Sequence, residues 1–306
     1  MGIGKRLKCN ILLVCISLLL ISYEGVAQKF YLKAGGGYKL QAGKTRFIDA
    51  DPNGLTSIVP SLDININSSG LATVEDISGT FGGGLEIDLT GGYIINNYLA
   101  VELGIVYLKG DEKTIGKYQD AISSEEATGY LNGVLLSPSL VIDPGFSGVN
   151  PYVRAGLVLT ATGKLYVDTS VDVPGGGGPG TDIRVAAQTV VEPNFSIGYA
   201  GAIGALFPIN EKISLFGELE FRNFTIDAKE GEIEEFSTVA ISGGTSNPVP
   251  GQQLENLPVS SKQFIFSDSF QASMITEPPT NEPRTVPVQY VNAGSMGLNF
   301  GVHLKF

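Results

Sequence analysis

Large apolar residues alternate with small or polar residues along much of this chain. The pattern is clearest in residues 292–306, where every second position from Met296 onward is apolar: Met296, Leu298, Phe300, Val302, Leu304 and Phe306. A period of two predicts a strand with one apolar face, whereas the 3.6-residue period of a helix would scatter these side chains around its axis. Lipid can cover such a face, and a tilted strand of about 9–11 residues is long enough to span a bilayer.

Eight segments share the alternation: 29–38, 80–94, 98–108, 128–142, 152–167, 195–207, 213–221 and 292–306. The connections between them are alternately long and short, with long loops expected near 39–79, 110–127, 168–192 and 228–288. Long external loops, short periplasmic turns and an even strand count are typical of outer-membrane barrels. The sequence therefore predicts an all-β, membrane-spanning, antiparallel up-and-down barrel of eight strands. A secreted β-sandwich is the alternative, but it gives no reason for alternate loops to be long.

The first 27 residues have the features of a secretory leader. Lys5, Arg6 and Lys8 precede an apolar run over 11–21, and small residues follow up to Ala27. Because a spanning helix needs about 20 apolar residues, this run favours a signal peptide cleaved after Ala27, which leaves 28–306 as the mature barrel domain. Both cysteines of the chain lie in the leader. The mature chain is thus expected to lack disulfides and thiol chemistry.

Charge and chemistry narrow the functional classes further. Without the leader the chain has 17 basic and 30 acidic residues, a net charge of −13, so it lacks the basic surface of a nucleic-acid-binding protein. The one histidine, His303, is expected to face the lumen at the periplasmic end, far from the external loops where an enzymatic barrel would need it. We therefore predict no catalytic, cofactor-binding or metal-binding residues. The glycine-rich stretch 175–180 lacks the Lys-Ser/Thr of a phosphate-binding loop.

Charged residues recur on the face opposite the apolar one. A charge on the lipid face would cost about 2–4 kcal/mol at the bilayer midplane, so these residues are expected to point into the lumen. The interior of an eight-stranded barrel is filled by side chains, which predicts that the charges pair as a polar core; an ion-selective pore is the alternative. The set is Lys33, Glu86, Asp88, Glu102, Arg154, Lys164, Glu218, Glu220, Arg222 and Lys305, with Arg222 expected to pair with Glu218 and Glu220. The same alternation places Phe81 outward and Thr162 inward.

The leader, the alternating strands, the unequal connections and Phe306 at the last position together resemble the small outer-membrane barrels of the OmpA and OmpX type. The resemblance covers the strands and not the loops, which are larger here. It implies that Phe300, Val302, Leu304 and Phe306 form the signal read by the barrel-assembly machinery. Since Phe306 is the last residue, no peptidoglycan-binding domain is expected after the barrel.

These features lead to a ranked set of functional hypotheses. The first is a non-enzymatic, monomeric outer-membrane barrel of a Gram-negative bacterium, with a role in membrane integrity or in surface interaction through its loops. Its expected partners are outer-membrane lipid and lipopolysaccharide, the assembly machinery and an extracellular ligand. A narrow channel for small polar solutes or ions is the alternative, and an outer-membrane enzyme is third. Acidic runs at 111–112, 125–126 and 230–235 could collect divalent cations, although a solvated charge run is favoured.

The long connection 228–288 leaves an alternative strand count open. Its prolines, Pro248, Pro250, Pro258, Pro278, Pro279, Pro283 and Pro287, remove donors that a sheet needs, which predicts a loop without regular structure. Segments 235–242 and 260–275 could pair and raise the strand count to ten. Polar residues interrupt the apolar face of the second segment, so we expect eight strands and a hairpin above the membrane.

Overall fold

The computed structural model describes residues 29–47, 61–269 and 280–306, and the predicted leader lies outside them. The strands are β1 (Phe30–Gln41), β2 (Thr45–Arg46), β3 (Leu62–Ile66), β4 (Ala72–Asp76), β5 (Ser78–Gly79), β6 (Gly84–Asn96), β7 (Leu99–Gly110), β8 (Lys113–Gln119), β9 (Ser124–Ile142), β10 (Asn150–Val173), β11 (Thr181–Pro193), β12 (Ile197–Pro208), β13 (Ile213–Asn223), β14 (Thr225–Ser242), β15 (Thr245–Gln253), β16 (Gln263–Ser267), β17 (Arg284–Pro287), β18 (Tyr290–Asn292) and β19 (Ser295–Lys305). A 3₁₀ turn (Leu254–Asn256) and one helix, α1 (Val259–Lys262), are the helical elements of the described residues. No helix in the described part of the chain is long and apolar enough to cross a membrane.

Eight of these strands close into an antiparallel barrel, in the order β1, β6, β7, β9, β10, β12, β13 and β19. The ring is completed by β19 pairing with β1, from Tyr31 opposite Lys305 to Gln41 opposite Ser295. Each barrel strand coincides with one of the eight predicted segments. The predicted fold class and strand count are therefore confirmed.

The outer face of the barrel is apolar. On β6 and β7, Leu85, Ile87 and Leu103 are each more than half exposed, while the residues between them are buried. In β19, Phe300 is 59% exposed and Phe306 follows the strand at 54%. A bilayer can cover a belt of exposed apolar side chains around such a sheet, because the pairing of β19 with β1 closes the ring and leaves no strand edge open to the hydrocarbon. The barrel thus spans a membrane.

The two ends of the barrel differ. At the short-turn end, β6 leads into β7, β9 into β10 and β12 into β13 through brief turns, and β1 begins and β19 ends there. At the opposite, loop end, the connections are long and contain additional strands. Strands β9 and β10 continue past the barrel wall and pair with each other up to Asp172 opposite Ser124.

The loop end carries an upper sheet, defined as the strands that extend the barrel wall away from the membrane belt. Its order is β4, β3, β8, β9, β10, β11 and β14, and β14 pairs further with β15 and β16. The connection 228–288 therefore contains regular structure, and the prediction that it lacks a sheet is wrong. Pro248 and Pro250 are accommodated because β15 is an edge strand, where an outward N–H needs no partner.

The predicted pairing within that connection also needs correction. The residues 263–267 form β16, and they pair with Glu230 to Glu232 of β14 and not with 235–242. The partner of Ser237 to Ser242 is β15 instead. Part of the predicted second segment, 270–275, lies outside the described residues. The preferred count of eight spanning strands holds because β14, β15 and β16 belong to the upper sheet.

A β-bulge on β10 reverses the facing of its outer half. Thr160 pairs with Leu135 and Thr162 with Val134, so Ala161 is an extra residue in this strand. Before the bulge even-numbered side chains point inward, and after it Leu165 and Val167 are the buried ones. The prediction that Thr162 and Lys164 face the lumen is wrong for this reason, since one inserted residue moves each later side chain to the other face.

Candidate functional site: the filled lumen

The middle of the barrel is occupied by ionisable side chains that we call the polar layer. Its members are Lys33, Lys39, Glu86, Asp88, Glu102, Arg154, Glu218, Glu220 and Arg222. All are at most 9% exposed except Arg154, whose side chain is 11% exposed. They reach the centre from β1, β6, β7, β10 and β13, because the strand alternation sends one side chain in every two residues inward.

Glu218 is the acceptor at the centre of one half of the layer. Lys33 Nζ lies 2.5 Å from its Oε1, and the hydroxyl of Tyr152 donates to the same oxygen at 2.6 Å. Arg154 Nη2 donates to Oε2 at 2.7 Å. Both carboxylate oxygens are thus saturated by charge-assisted or hydroxyl donors, which is the condition for burying a charge without a large penalty.

Arg222 organises the other half. It makes a two-pronged contact with Glu86, at 2.6 and 3.2 Å, and donates to Glu220 Oε1 at 2.8 Å. Lys39 Nζ completes this group, 2.6 Å from Glu220 Oε2 and 3.8 Å from Glu86 Oε2. The expected pairing of Arg222 with Glu220 is present, whereas its expected partner Glu218 binds Lys33 and Arg154 instead.

Glu102 and Asp88 complete the layer with fewer partners. Glu102 accepts from the Tyr31 hydroxyl at 2.9 Å and has Lys33 at 3.5 Å and Arg154 at 3.8 Å. Asp88 accepts a hydrogen bond from Asn299 Nδ2 at 2.8 Å. The layer has five carboxyl groups against four cationic groups, an excess of one negative charge when all nine are ionised. Among the described residues, Asp88 is the carboxyl group of the layer that has no cation within 4.0 Å.

The ring of Phe216 packs beside the charged groups, in space that is left free by Gly35. Phe216 is 2% exposed, and Lys33 Nζ lies 4.7 Å from its ring centroid. A Cβ at Gly35 would lie 2.6 Å from Phe216 Cζ, so only glycine leaves room for this ring. This agrees with the use of inward glycines to relieve crowding in a small barrel.

Towards the loop end, the polar layer is followed by an apolar plug. Barrel-wall residues of the plug include Val106, Leu108, Leu131, Leu135, Val158 and Ala200, and connecting segments contribute Phe47, Phe81, Ile115, Phe224, Ile226, Val291 and Ala293. Along β7 the buried residues change from Glu102 to Val106 and Leu108, so the polar layer lies below the plug. Backbone hydrogen bonds hold the plug in place, from Phe81 N–H to Asn292 O at 3.0 Å and from Ala293 N–H to Phe224 O at 2.9 Å.

The plug corrects one prediction about facing. Phe81 precedes β6, is 2% exposed, and packs against Phe47 with ring centroids 4.8 Å apart. Alternation cannot identify such a residue, because the chain turns inward at this point and the strand begins only at Gly84.

The structure adds residues to the site that the sequence reasoning missed. Lys39 lies one position beyond the predicted end of the first strand, so extending the alternation by a single residue would have found it. Tyr31 and Tyr152 point inward and donate hydrogen bonds from their hydroxyl groups. They were missed because an aromatic residue in an alternating strand is normally assigned to the apolar face. Two predicted members are absent from the layer: Lys164 lies 3.5 Å from Glu234 near the upper sheet, and Lys305 is exposed at the short-turn end.

His303 lies at the short-turn end, as its position in β19 requires. It is 3% exposed and its ring centroid is 4.6 Å from that of Tyr31. On the outer face of the same strand, Phe300 and Val302 are exposed, Leu304 is partly exposed, and Phe306 follows. Their reading by an assembly machinery stays a prediction.

The acidic runs contribute to a cleft on the upper sheet. The cleft has a volume of about 600 Å³, and Glu112, Glu126, Asp168, Glu234 and Glu235 are among its lining residues. Within the described ranges, no group of His, Cys, Asp or Glu side chains has an arrangement that could hold a metal ion. Nearby, burial raises the pKa of Glu125, and the N–H of Ile122 lowers the pKa of Asp120.

Comparisons with known proteins show similarity at low identity. No family model matches this sequence, and no curated protein matches it. Among solved structures, a major outer membrane protein from Thermus thermophilus matches with 13% identity and a TM-score of 0.33, covering 91% of this chain and 98% of that one. CarO2 of Acinetobacter baumannii matches with 13% identity and a TM-score of 0.26, covering 89% of this chain and 99% of that one.

Proposed function

We propose that this chain is a non-conducting outer-membrane barrel that acts through its upper sheet, as an anchored surface for extracellular contacts. The observation that carries the proposal is the filled lumen. The polar layer and the apolar plug lie in series, and Glu220 in the first and Leu108 in the second are at most 2% exposed. A solute would have to displace both layers to cross.

Each layer opposes ion passage for a different reason. In the polar layer most of the charged groups pair with one another, so an entering ion would have to compete with contacts as short as the 2.5 Å between Lys33 Nζ and Glu218 Oε1. In the plug, Val158 and Ile115 are fully buried and present no polar group that could replace the hydration shell of an ion. The alternative, a narrow channel, therefore has no supporting feature among the described residues.

The proposed location follows from the barrel and the leader. A closed antiparallel barrel with an apolar belt and long connections at one end is the architecture of outer-membrane proteins. The long connections would then face outward and the short turns would face the periplasm. Lipopolysaccharide and outer-membrane lipid would contact the belt, and the barrel-assembly machinery would insert the chain.

The upper sheet favours a surface role over a purely structural one. Its strands extend the barrel wall beyond the membrane belt, so their surface is held by continuous hydrogen bonding and not by flexible loops. A catalytic role is disfavoured because His303 lies at the opposite end of the barrel. Because the surface is already rigid, less conformational entropy is lost when a partner binds to it.

The test is planar-bilayer conductance of the refolded protein, paired with a surface assay. We expect no steady single-channel openings from the intact chain, and regular openings would overturn the proposal. A variant whose β3–β4 hairpin, residues 62–76, is replaced by a short Gly-Ser link should keep a heat-resistant barrel. Attachment of expressing cells to protein-coated surfaces should fall in this variant, and unchanged attachment in a series of such upper-sheet deletions would contradict the surface role.

A further inference from the structure

A cavity opens at the short-turn end of the barrel, below the polar layer, and we call it the vestibule. Its volume is about 450 Å³, within the range of about 300–1,000 Å³ that is typical of small-molecule sites. It ends at the polar layer, where Lys33 and Glu102 are among its lining residues. The vestibule therefore communicates with one side of the membrane only.

The wall of the vestibule is apolar and partly aromatic. Tyr31, Ala100, Val141, Tyr152 and Leu206 form a buried cluster that faces the cavity. Such a wall favours a ligand with an apolar face, because contact with it removes apolar surface from water.

The charges of the lining are balanced. Lys33 and Lys305 are the cationic residues, and Glu102 and Asp143 are the anionic ones. Three of these already have partners: Lys33 binds Glu218, Glu102 binds Tyr31, and Asp143 accepts from Gly145 N–H at 2.7 Å. A ligand with a net charge gains no complementary field here, which favours a neutral one.

The floor of the vestibule has unused hydrogen-bonding capacity. Oε2 of Glu102 and Nδ1 of His303 are buried and have no hydrogen-bond partner among the described residues. Tyr31 lies against both residues, since its hydroxyl donates to Glu102 Oε1 and its ring packs on His303. A carboxylate oxygen needs a donor, and an imidazole nitrogen either donates or accepts, so both are groups that a ligand hydroxyl can satisfy. Satisfying such buried groups would recover part of the cost of leaving them unpaired.

We propose that the vestibule binds a small neutral polyhydroxylated solute of monosaccharide size from the periplasmic side. A sugar ring combines an apolar face for the Tyr31 and Leu206 wall with hydroxyl groups for the floor. This inference goes beyond the proposed surface function and is independent of it, because it concerns the opposite end of the molecule.

The experiment is a titration of the intact protein, refolded in a zwitterionic detergent that contains no sugar. The reporter is the methyl NMR signal of Ala100, which lies in the vestibule wall, and the control is the methyl signal of Ala155, which lies on the lipid face. The probes are D-glucose, the cation D-glucosamine and the anion D-glucuronate. We expect glucose to shift the Ala100 signal saturably and the Ala155 signal not at all, with binding of both charged probes about tenfold weaker.

Other outcomes would overturn the proposal. The absence of a saturable shift with glucose would mean that the vestibule holds water only. Tighter binding of glucuronate would identify an anion site, and equal shifts at Ala100 and Ala155 would indicate unspecific contact. Leu206→Trp should fill the vestibule and abolish the glucose response, whereas Ile203→Trp on the lipid face should retain it. The wild-type titration decides the matter even if the Leu206 variant does not fold.

Discussion

The polar layer and the apolar plug bury side chains to the same degree but by different physical means. Arg222 is 2% exposed in the layer and Phe81 is 2% exposed in the plug. The first is tolerated because carboxylates stand at hydrogen-bonding distance around it, and the second because apolar neighbours fill the space around its ring. The layer thus depends on the identity of each partner, whereas the plug depends on volume.

The two regions also differ in where their members come from. Residues of the polar layer lie on barrel strands and meet across the lumen over long sequence separations, as Lys33 and Glu218 do. The plug combines wall residues with segments that return over the loop end, such as Phe224 and Ala293. A single substitution should consequently have a sharper effect in the layer than in the plug.

The largest effect is expected from removing a central cation of the layer. Arg222→Met leaves Glu86 with Lys39 alone and Glu220 with Lys39 and the more distant Arg154. Breaking a buried pair in this way costs about 4 kcal/mol of unfolding free energy. Urea unfolding of the protein in lipid vesicles, followed by gel mobility, measures the change. The matched control is Arg184→Met, which removes an exposed pair with Asp172 and should leave the urea midpoint unchanged. Equal changes in the urea midpoint for the two substitutions would mean that water hydrates the charged groups of the lumen.

A somewhat smaller loss is expected in the plug. Leu108→Ala deletes a side chain that is 1% exposed and leaves a cavity, at a cost of about 3 kcal/mol. The same substitution at Leu103, which faces lipid and is 55% exposed, is the control and should cost less because lipid fills the space. The same urea experiment compares the two variants. A larger loss of unfolding free energy for Leu103→Ala than for Leu108→Ala would contradict the assignment of Leu108 to a packed interior.

A change of opposite sign is expected at Asp88. Asp88→Asn removes the excess negative charge while an amide can still accept from Asn299, so the unfolding free energy should rise by about 1 kcal/mol. The control, Glu220→Gln, removes a carboxylate that binds Lys39 and Arg222 and should destabilise the barrel. Destabilisation by Asp88→Asn would indicate that its charge is compensated in the folded protein.

The smallest effect is expected in the upper sheet, where carboxylates are open to solvent. The N–H of Ile122, the hydroxyl of Tyr118 and the N–H of Ser123 lower the pKa of Asp120. A lowered folded-state pKa means that the stabilisation is present above the unfolded value, about 3.9, and is lost as the pH falls through the lower folded value. Amide NMR signals of Ile122 and Ser123 should change with pH in that acidic range as Asp120 titrates, and Asp120→Asn should abolish this change. A midpoint at higher pH than that of Asp in an unfolded peptide would contradict the lowered pKa of Asp120.

Local alternation was enough to determine the spanning strands and the inward facing of most charged residues. The reason is that the period of two is a property of each strand by itself: Lys33 and Glu218 face inward whatever their neighbours are. It was insufficient where the chain leaves that period, as at the Ala161 bulge that turns Lys164 outward, or before β6, where Phe81 enters the plug.

The tertiary structure alone decided which charges meet and what closes the lumen. Glu218 has Lys33 and Arg154 as partners because barrel closure and strand stagger bring these positions to one level, and neither is encoded in a single strand. The plug likewise exists because connecting segments such as those of Phe81 and Phe224 return over the loop end, and the alternation within a strand carries no information on that return. The sequence by itself determined the direction of each side chain within a strand, and only closure of the ring determined its partner, because pairing across a lumen depends on register summed around eight strands.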